Sequence, residues 1–89
     1  MINAVLMAPN DDVVTLTQAV SAGGEICYQR GEEICSLVAA TDVPLYHKAA
    51  LRAVGAGSSV TKYGEHIGYA TRPIAQGEHV HTQNLSSTL

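Results

Sequence analysis

A chain of 89 residues makes one domain, read here as spanning 1–89, and a chain of that size buries only about 60–65% of the surface its unfolded form exposes. Its four aromatic residues are all tyrosine, with no Phe and no Trp, so the core must be built from Val, Ile, Leu and Ala, and so thin a core favours association with a partner or a second copy. A net charge of -3 with only five Lys and Arg excludes the basic footprint that nucleic acid requires, and no apolar run approaches the roughly 20 residues of a membrane span, which points to a soluble, cytoplasmic protein.

No stretch keeps the i, i+3, i+4, i+7 apolar spacing of an amphipathic helix, whereas short β-branched runs separated by Gly or Asn-Asp turns recur throughout. The pattern predicts a mainly β fold of short strands with at most one short helix. In chain order the predicted strands are Ile2 to Met7, Val13 to Thr17, Glu25 to Tyr28, Glu33 to Val38, His47 to Leu51, Ser59 to Lys62, His66 to Ala70 and Glu78 to His81. Between the third and fourth, Glu32-Glu33 reads as a solvated hairpin tip. Cys27 and Cys35 read as reduced, buried small hydrophobes. A loop of odd length centred on Gly31 would instead set them face to face across the hairpin, and a two-residue loop at Arg30-Gly31 would offset them by one position.

A turn device is written three times, as Val20-Ser-Ala-Gly23-Gly-Glu-Ile26, Val54-Gly-Ala-Gly57-Ser-Ser-Val60 and Ile74-Ala-Gln-Gly77-Glu-His-Val80. Each glycine falls where the chain reverses and where positive φ is expected, so valine at Gly57 or Gly77 should damage the fold. The intervals of 34 and 20 residues are unequal, so the device belongs to one compact domain and not to a solenoid. Pro44 breaks the chain before His47, Lys48 to Val54 has a weak helical signal, Tyr63-Gly64 offers a tight reversal, and Ser86 to Leu89 reads as a frayed end.

Chemistry concentrates at Gly77-Glu-His-Val-His-Thr-Gln-Asn84. Side chains at i and i+2 of a strand share a face, so His79 and His81 stand side by side with Val80 directed inward, an arrangement suited to gripping a metal ion. Gln83 continues that face and offers a weak third ligand or a hydrogen bond, since two imidazoles do not complete a site. The plainer reading makes the pair solvent-facing strand residues, as His66 is a turn-flanking polar residue. His47-Lys48 follows a proline-led loop: a histidine can move a proton near neutral pH, and a lysine can bind a carboxylate. Adjacent strand residues point apart, so at most one enters a given pocket. There is no GxSxG, phosphate-binding glycine loop or HExxH.

Taken together, His47-Lys48-Ala-Ala-Leu51, Gly57, Val60-Thr-Lys-Tyr-Gly64, Ile67-Gly68-Tyr-Ala70 and Ile74 with Gly77-Glu-His-Val-His81 and Asn84 resemble the SAF-type small domain of the altronate and galactarate dehydratase family. Small subunits of the related sulfolactate sulfo-lyases are similar, and Asp11-Asp12-Val13 fits the family's start. The resemblance implies a β-clip fold and a small subunit or N-terminal domain of a sugar-acid hydro-lyase, inactive alone and working beside a large catalytic subunit. It also implies a small anionic sugar-acid substrate and a divalent metal, iron foremost. By residue, it implies His79 and His81 as metal ligands, His47 and Lys48 as catalytic groups, and Lys48 and Asn84 as substrate-binding groups. Such an elimination needs a base for the α-proton, an acid or metal for the leaving oxygen, and positive groups for the carboxylate. Two departures stand out: Tyr46 where relatives carry Gly, and Gln83 where they carry a third His. Two other readings keep the fold: sulfite elimination from sulfolactate, and a non-catalytic module that binds carbohydrate or protein.

Overall fold

Val13, Val14, Ala49 and Ala50 are each no more than 1% exposed, and consecutive strand residues face opposite ways, so the strands carrying them must be covered on both sides. In the computed structural model, which describes residues 1–88, these strands are β2 (Val13–Leu16) and β5 (Lys48–Ala50). They are the inner members of a four-stranded antiparallel sheet in the order β1 (Ala4–Val5), β2, β5, β8 (His79–Val80). One face sets Val14, Leu16 and Ala49 against Ile26, Tyr28 and Leu37 of a hairpin made by β3 (Glu25–Arg30) and β4 (Glu33–Val38). The other sets Val13, Ala50 and Val80 against Val60 and Ala70. Those two residues come from β6 (Ser59–Lys62) and β7 (Glu65–Ala70), which form a third sheet with β9 (Leu85–Ser86). Two thin apolar layers on either side of a central sheet account for a core assembled without Phe or Trp.

The glycine turn occurs four times, not three. In Ser21–Gly24, Pro44–His47, Gly55–Ser58 and Ala75–Glu78 the fourth N–H donates to the first carbonyl at 2.8, 3.1, 3.0 and 3.0 Å. The third residue of each turn has positive φ: Gly23 at 86°, Tyr46 at 66°, Gly57 at 81° and Gly77 at 83°, the type II arrangement that favours glycine. The apolar residues just ahead of the turns meet in two bridges, Val20 with Val43 and Val54 with Ile74. The chain is thus two similar arms: β2, turn, β3–β4, turn, β5, and then β5, turn, β6–β7, turn, β8. The central strand β5 belongs to both.

Tyr46 occupies the glycine place of the second turn, and its ring is 73% exposed. Glycine's advantage at this place is therefore a matter of φ, with no close packing around the side chain. Left-handed backbone costs an L-residue about 1–2 kcal/mol, against about 0.5–1 kcal/mol of chain entropy for glycine. Tyr46→Gly should stabilise the domain by about 0.5–1 kcal/mol and raise its Tm by roughly 2–8 °C. A lowered midpoint in thermal unfolding would refute this account of the strain.

All eight predicted strands form, with trimmed or extended ends. The weak helical signal at Lys48 to Val54 is overridden, because Lys48–Ala50 hydrogen-bonds to β2 on one side and β8 on the other. The reading of Ser86 to Leu89 as frayed is corrected at its start: Leu85 and Ser86 pair with Ala70 and Tyr69, while Leu89 lies outside the described residues. The β3–β4 hairpin turns through two residues, Gly31-Glu32, with Arg30 opposite Glu33 and Tyr28 opposite Cys35. Cys27 is therefore one position out of line with Cys35 and faces the other side of the hairpin, and both thiols are free.

Asp11 and Asp12, both buried, lock the two layers together. The Asp11 carboxylate accepts from the N–H groups of Ala8, Tyr63 and Gly64 at 3.0, 2.8 and 2.9 Å, holding the Tyr63-Gly64 turn with φ of 58° and 73°, the type I′ pattern. Asp12 accepts from Thr61 N–H at 2.8 Å and from both Nε and a terminal nitrogen of Arg52, at 2.8 and 2.7 Å.

Candidate metal centre

The pairing of β5 with β8 sets Lys48 opposite Val80 and Ala49 opposite His79. One step further along the same ladder, His47 stands across from His81. His47, His79 and Ala49 consequently share a face with His81; Ala49 is packed into the apolar layer under the β3–β4 hairpin, and the three rings gather beside it. Nitrogens of His47, His79 and His81 all lie within 4.8 Å of one another. His47 Nδ1 is 2.8 Å from His79 Nε2, its ring centroid is 4.6 Å from that of His81, and the His79 and His81 rings are nearly parallel at 11°.

Backbone and side-chain bonds fix the strand end that bears the cluster. His79 N–H donates to Thr41 Oγ1 at 3.0 Å, and the His79 carbonyl accepts from Gln83 Nε2 at 3.1 Å and from Asn84 Nδ2 at 2.8 Å. Asn84 is fully buried, and its Oδ1 accepts from His81 N–H at 3.0 Å. Glu78 accepts from Ala75 N–H at 2.9 Å and lies 3.4 Å from Asn84 Nδ2. Its carboxylate is thus engaged in holding the fourth turn.

Burial, then the charges of His47, His81 and Lys48, hold His79 below its ordinary value of 6.5, outweighing the opposing pull of Glu78. The ring stays neutral with a lone pair to offer, as metal ligation requires. A ring depressed in the folded chain contributes stability above its unfolded value of 6.5, and that contribution is lost as pH falls below it toward the folded value. The metal-free domain should accordingly unfold more easily in urea at pH 5 than at pH 7.5, and the difference should shrink in His79→Gln. An undiminished difference in that variant would assign the pH effect elsewhere.

The structure distributes the sequence-predicted residues unevenly. His79 and His81 come together as expected, and His47, read as a catalytic group, joins them as the third imidazole. Gln83 is not a third ligand on the open face, since its amide leans back on His79, 3.4 Å from Nδ1. Lys48 lies on the opposite face of the strand with Ala50 and Val80, although its charge reaches His79. Asn84, expected at the substrate, has its amide committed to the backbone of the histidine segment, which corrects its place to that of a positioning residue. His66 sits apart, 2.6 Å from Ser59 Oγ. Thr41 carried no signal in the sequence. The hollow of about 330 Å³ lined by Gly57, Tyr69, Ala70, Thr71 and Thr88 contains none of the clustered histidines.

A three-imidazole donor set suits a divalent transition metal such as zinc or iron. His47, His79 and His81, whose nitrogens already lie within 4.8 Å of one another, would hold such an ion, which would supply Lewis acidity when bound. The residues fit the group.

A small all-β domain of two similar arms around a central sheet, with three histidines gathered at one end of two paired strands, is the class of module that the fold and site define. The chain belongs to the altronate/galactarate dehydratase SAF domain family, whose model matches residues 2–88. It is 48% identical over 51 residues to the (2R)-sulfolactate sulfo-lyase subunit alpha of Paracoccus pantotrophus, covering 57% of this chain and 76% of that one. It is 35% identical over 65 residues to the altronate dehydratase of Bacillus subtilis strain 168, covering 68% of this chain and 13% of the relative. With the altronate dehydratase of Escherichia coli strain K12 it shares 48% identity over 48 residues, only 10% of that protein's length.

Proposed function

We propose that the domain is the small subunit, or the N-terminal domain, of a hydro-lyase that removes water from a small anionic sugar acid, working with a larger catalytic chain. The observation that carries this reading is the meeting of His47, His79 and His81 on one open face in a chain of this family. Three imidazoles would hold a divalent metal, with iron foremost, whose Lewis acidity would polarise the leaving oxygen. The chain's own residues supply the rest of their share. Asn84 and Thr41 fix the backbone on either side of His79, so the ring approaches from one direction. Lys48, on the opposite face of β5, adds positive charge within reach of His79. The α-proton base and the groups that enclose the substrate belong to the larger chain.

A second reading, elimination of sulfite from sulfolactate, is favoured by length: the match covers 76% of a sulfo-lyase alpha subunit but 13% of an altronate dehydratase. The test is to isolate the tagged protein from its native cells, identify what co-elutes by mass spectrometry, measure metal content, and assay the complex on altronate, galactarate and sulfolactate. A stoichiometric large subunit with water release supports the first reading, and sulfite release the second. A solitary, metal-free and inactive domain would reduce it to a binding module.

A further inference from the structure

The side chain of Gln83 folds back over His79, and what it meets there fixes which way its amide points. The amide nitrogen lies 3.1 Å from the His79 carbonyl oxygen, a group that can only accept, so the NH2 end of the amide faces the carbonyl. The same nitrogen lies 3.4 Å from His79 Nδ1. Long as it is, that contact sets a direction: an amide NH2 has hydrogens to donate and nothing with which to accept, so Nδ1 meets it as a lone pair. A neutral imidazole has a single N–H, which then sits on Nε2. That nitrogen is 2.8 Å from His47 Nδ1, which therefore accepts, and the proton of His47 itself is left on its own Nε2. The result is one directional run of hydrogen bonds from Gln83 through the His79 ring to His47.

We propose that Gln83 is a positioning residue that keeps the ion-free histidine cluster closed, by holding the His79 proton on Nε2, between the two rings. His79 Nε2 and His47 Nδ1 are the nitrogens turned toward each other, and that one proton occupies both. For Nε2 to offer a lone pair, the ring proton must move to Nδ1, where it meets the NH2 of Gln83 donor to donor. The amide then has to turn so that Oε1 accepts from Nδ1–H. It gives up its bond to the His79 carbonyl, which keeps Asn84 Nδ2 at 2.8 Å. Gln83→Glu places at the same reach a carboxylate that only accepts, and so favours the Nδ1–H form with no such turn. The position of the proton stands apart from the metal reading of the cluster; its effect on ion uptake rests on that reading.

The test compares the parent domain with Gln83→Glu at about pH 8, where histidine is neutral. Long-range 15N–1H correlation spectra of the imidazoles should place the His79 proton on Nε2 in the metal-free parent and on Nδ1 in Gln83→Glu. The reversal is the decisive reading, and the same tautomer in both proteins overturns the proposal. Zinc is then titrated against a chromophoric chelator. Gln83→Glu should bind it about tenfold more tightly than the parent, and the side-chain amide signals of Gln83 in the parent should shift as zinc saturates. Equal affinities beside a reversed tautomer overturn the claim that Gln83 keeps the cluster closed. If neither protein takes up zinc while the tautomer reverses, the hold of Gln83 on the proton stands and the metal reading of the cluster falls.

Discussion

If the proposed three-histidine site takes up a divalent metal, replacing His47 by alanine should abolish that uptake while leaving the strands in place. His79 and His81 alone are two ligands on one strand, and metal sites of this type draw at least three from protein. Loss of a direct ligand should weaken binding by at least the roughly 10–100-fold seen when a residue merely supporting a ligand is lost. His47 sits just before β5 and its side chain is only half-buried, so circular dichroism and the unfolding midpoint should change little. Competition with a chromophoric chelator measures the affinity directly. If His47→Ala binds as tightly as the parent chain, the three-histidine centre is wrong and the ions are held elsewhere.

The largest effect on folding is expected at Gly77. A Cβ there would lie 2.0 Å from the carbonyl oxygen of Val38 and 3.0 Å from Ala40 N, and Gly77 also exchanges backbone bonds with both neighbours, accepting from Ala40 at 2.9 Å and donating to Ala50 at 2.8 Å. Gly57 has nearly the same φ, 81° against 83°, but nothing within 4 Å of its Cβ position. The two form a matched pair. Gly57→Ala should cost about 1–2 kcal/mol, the left-handed penalty alone. Gly77→Ala adds the displacement of a β-strand's end and should exceed about 4 kcal/mol, enough to unfold much of a domain with a stability near the low end of about 5–15 kcal/mol. Equal losses in denaturant titrations of the two variants would contradict the packing argument.

The strands were legible because their signal is local: β-branched pairs such as Val13-Val14 and glycines at 23, 57 and 77 mark where the chain extends and where it turns. The fourth turn was hidden because tyrosine stands at 46 in glycine's place, and only the backbone shows the equivalence. Leu85–Ser86 gave no signal, since a two-residue strand is defined by its partners Ala70 and Tyr69 and not by its own composition. At the site, alternation alone put His79 beside His81. The arrival of His47 depends on the β5–β8 register, which joins residues 32 apart in the chain and is set by burial of Ala50 and Val80 on the other face. The same register removed Lys48 from the histidine face. Asn84 looked available for a ligand because an amide's partners cannot be read from its position; here the chain itself uses them.

The strand shared by the two arms has a consequence for how the chain could be divided. A cut after Ala53 leaves β5 with the first fragment and β8 with the second, so in the second fragment β8 loses the neighbour on which it pairs. It also separates His47 from His79 and His81. Neither fragment carries a three-imidazole face, and only their reassociation rebuilds one, so under the proposed metal site ion uptake would report complementation between the two pieces.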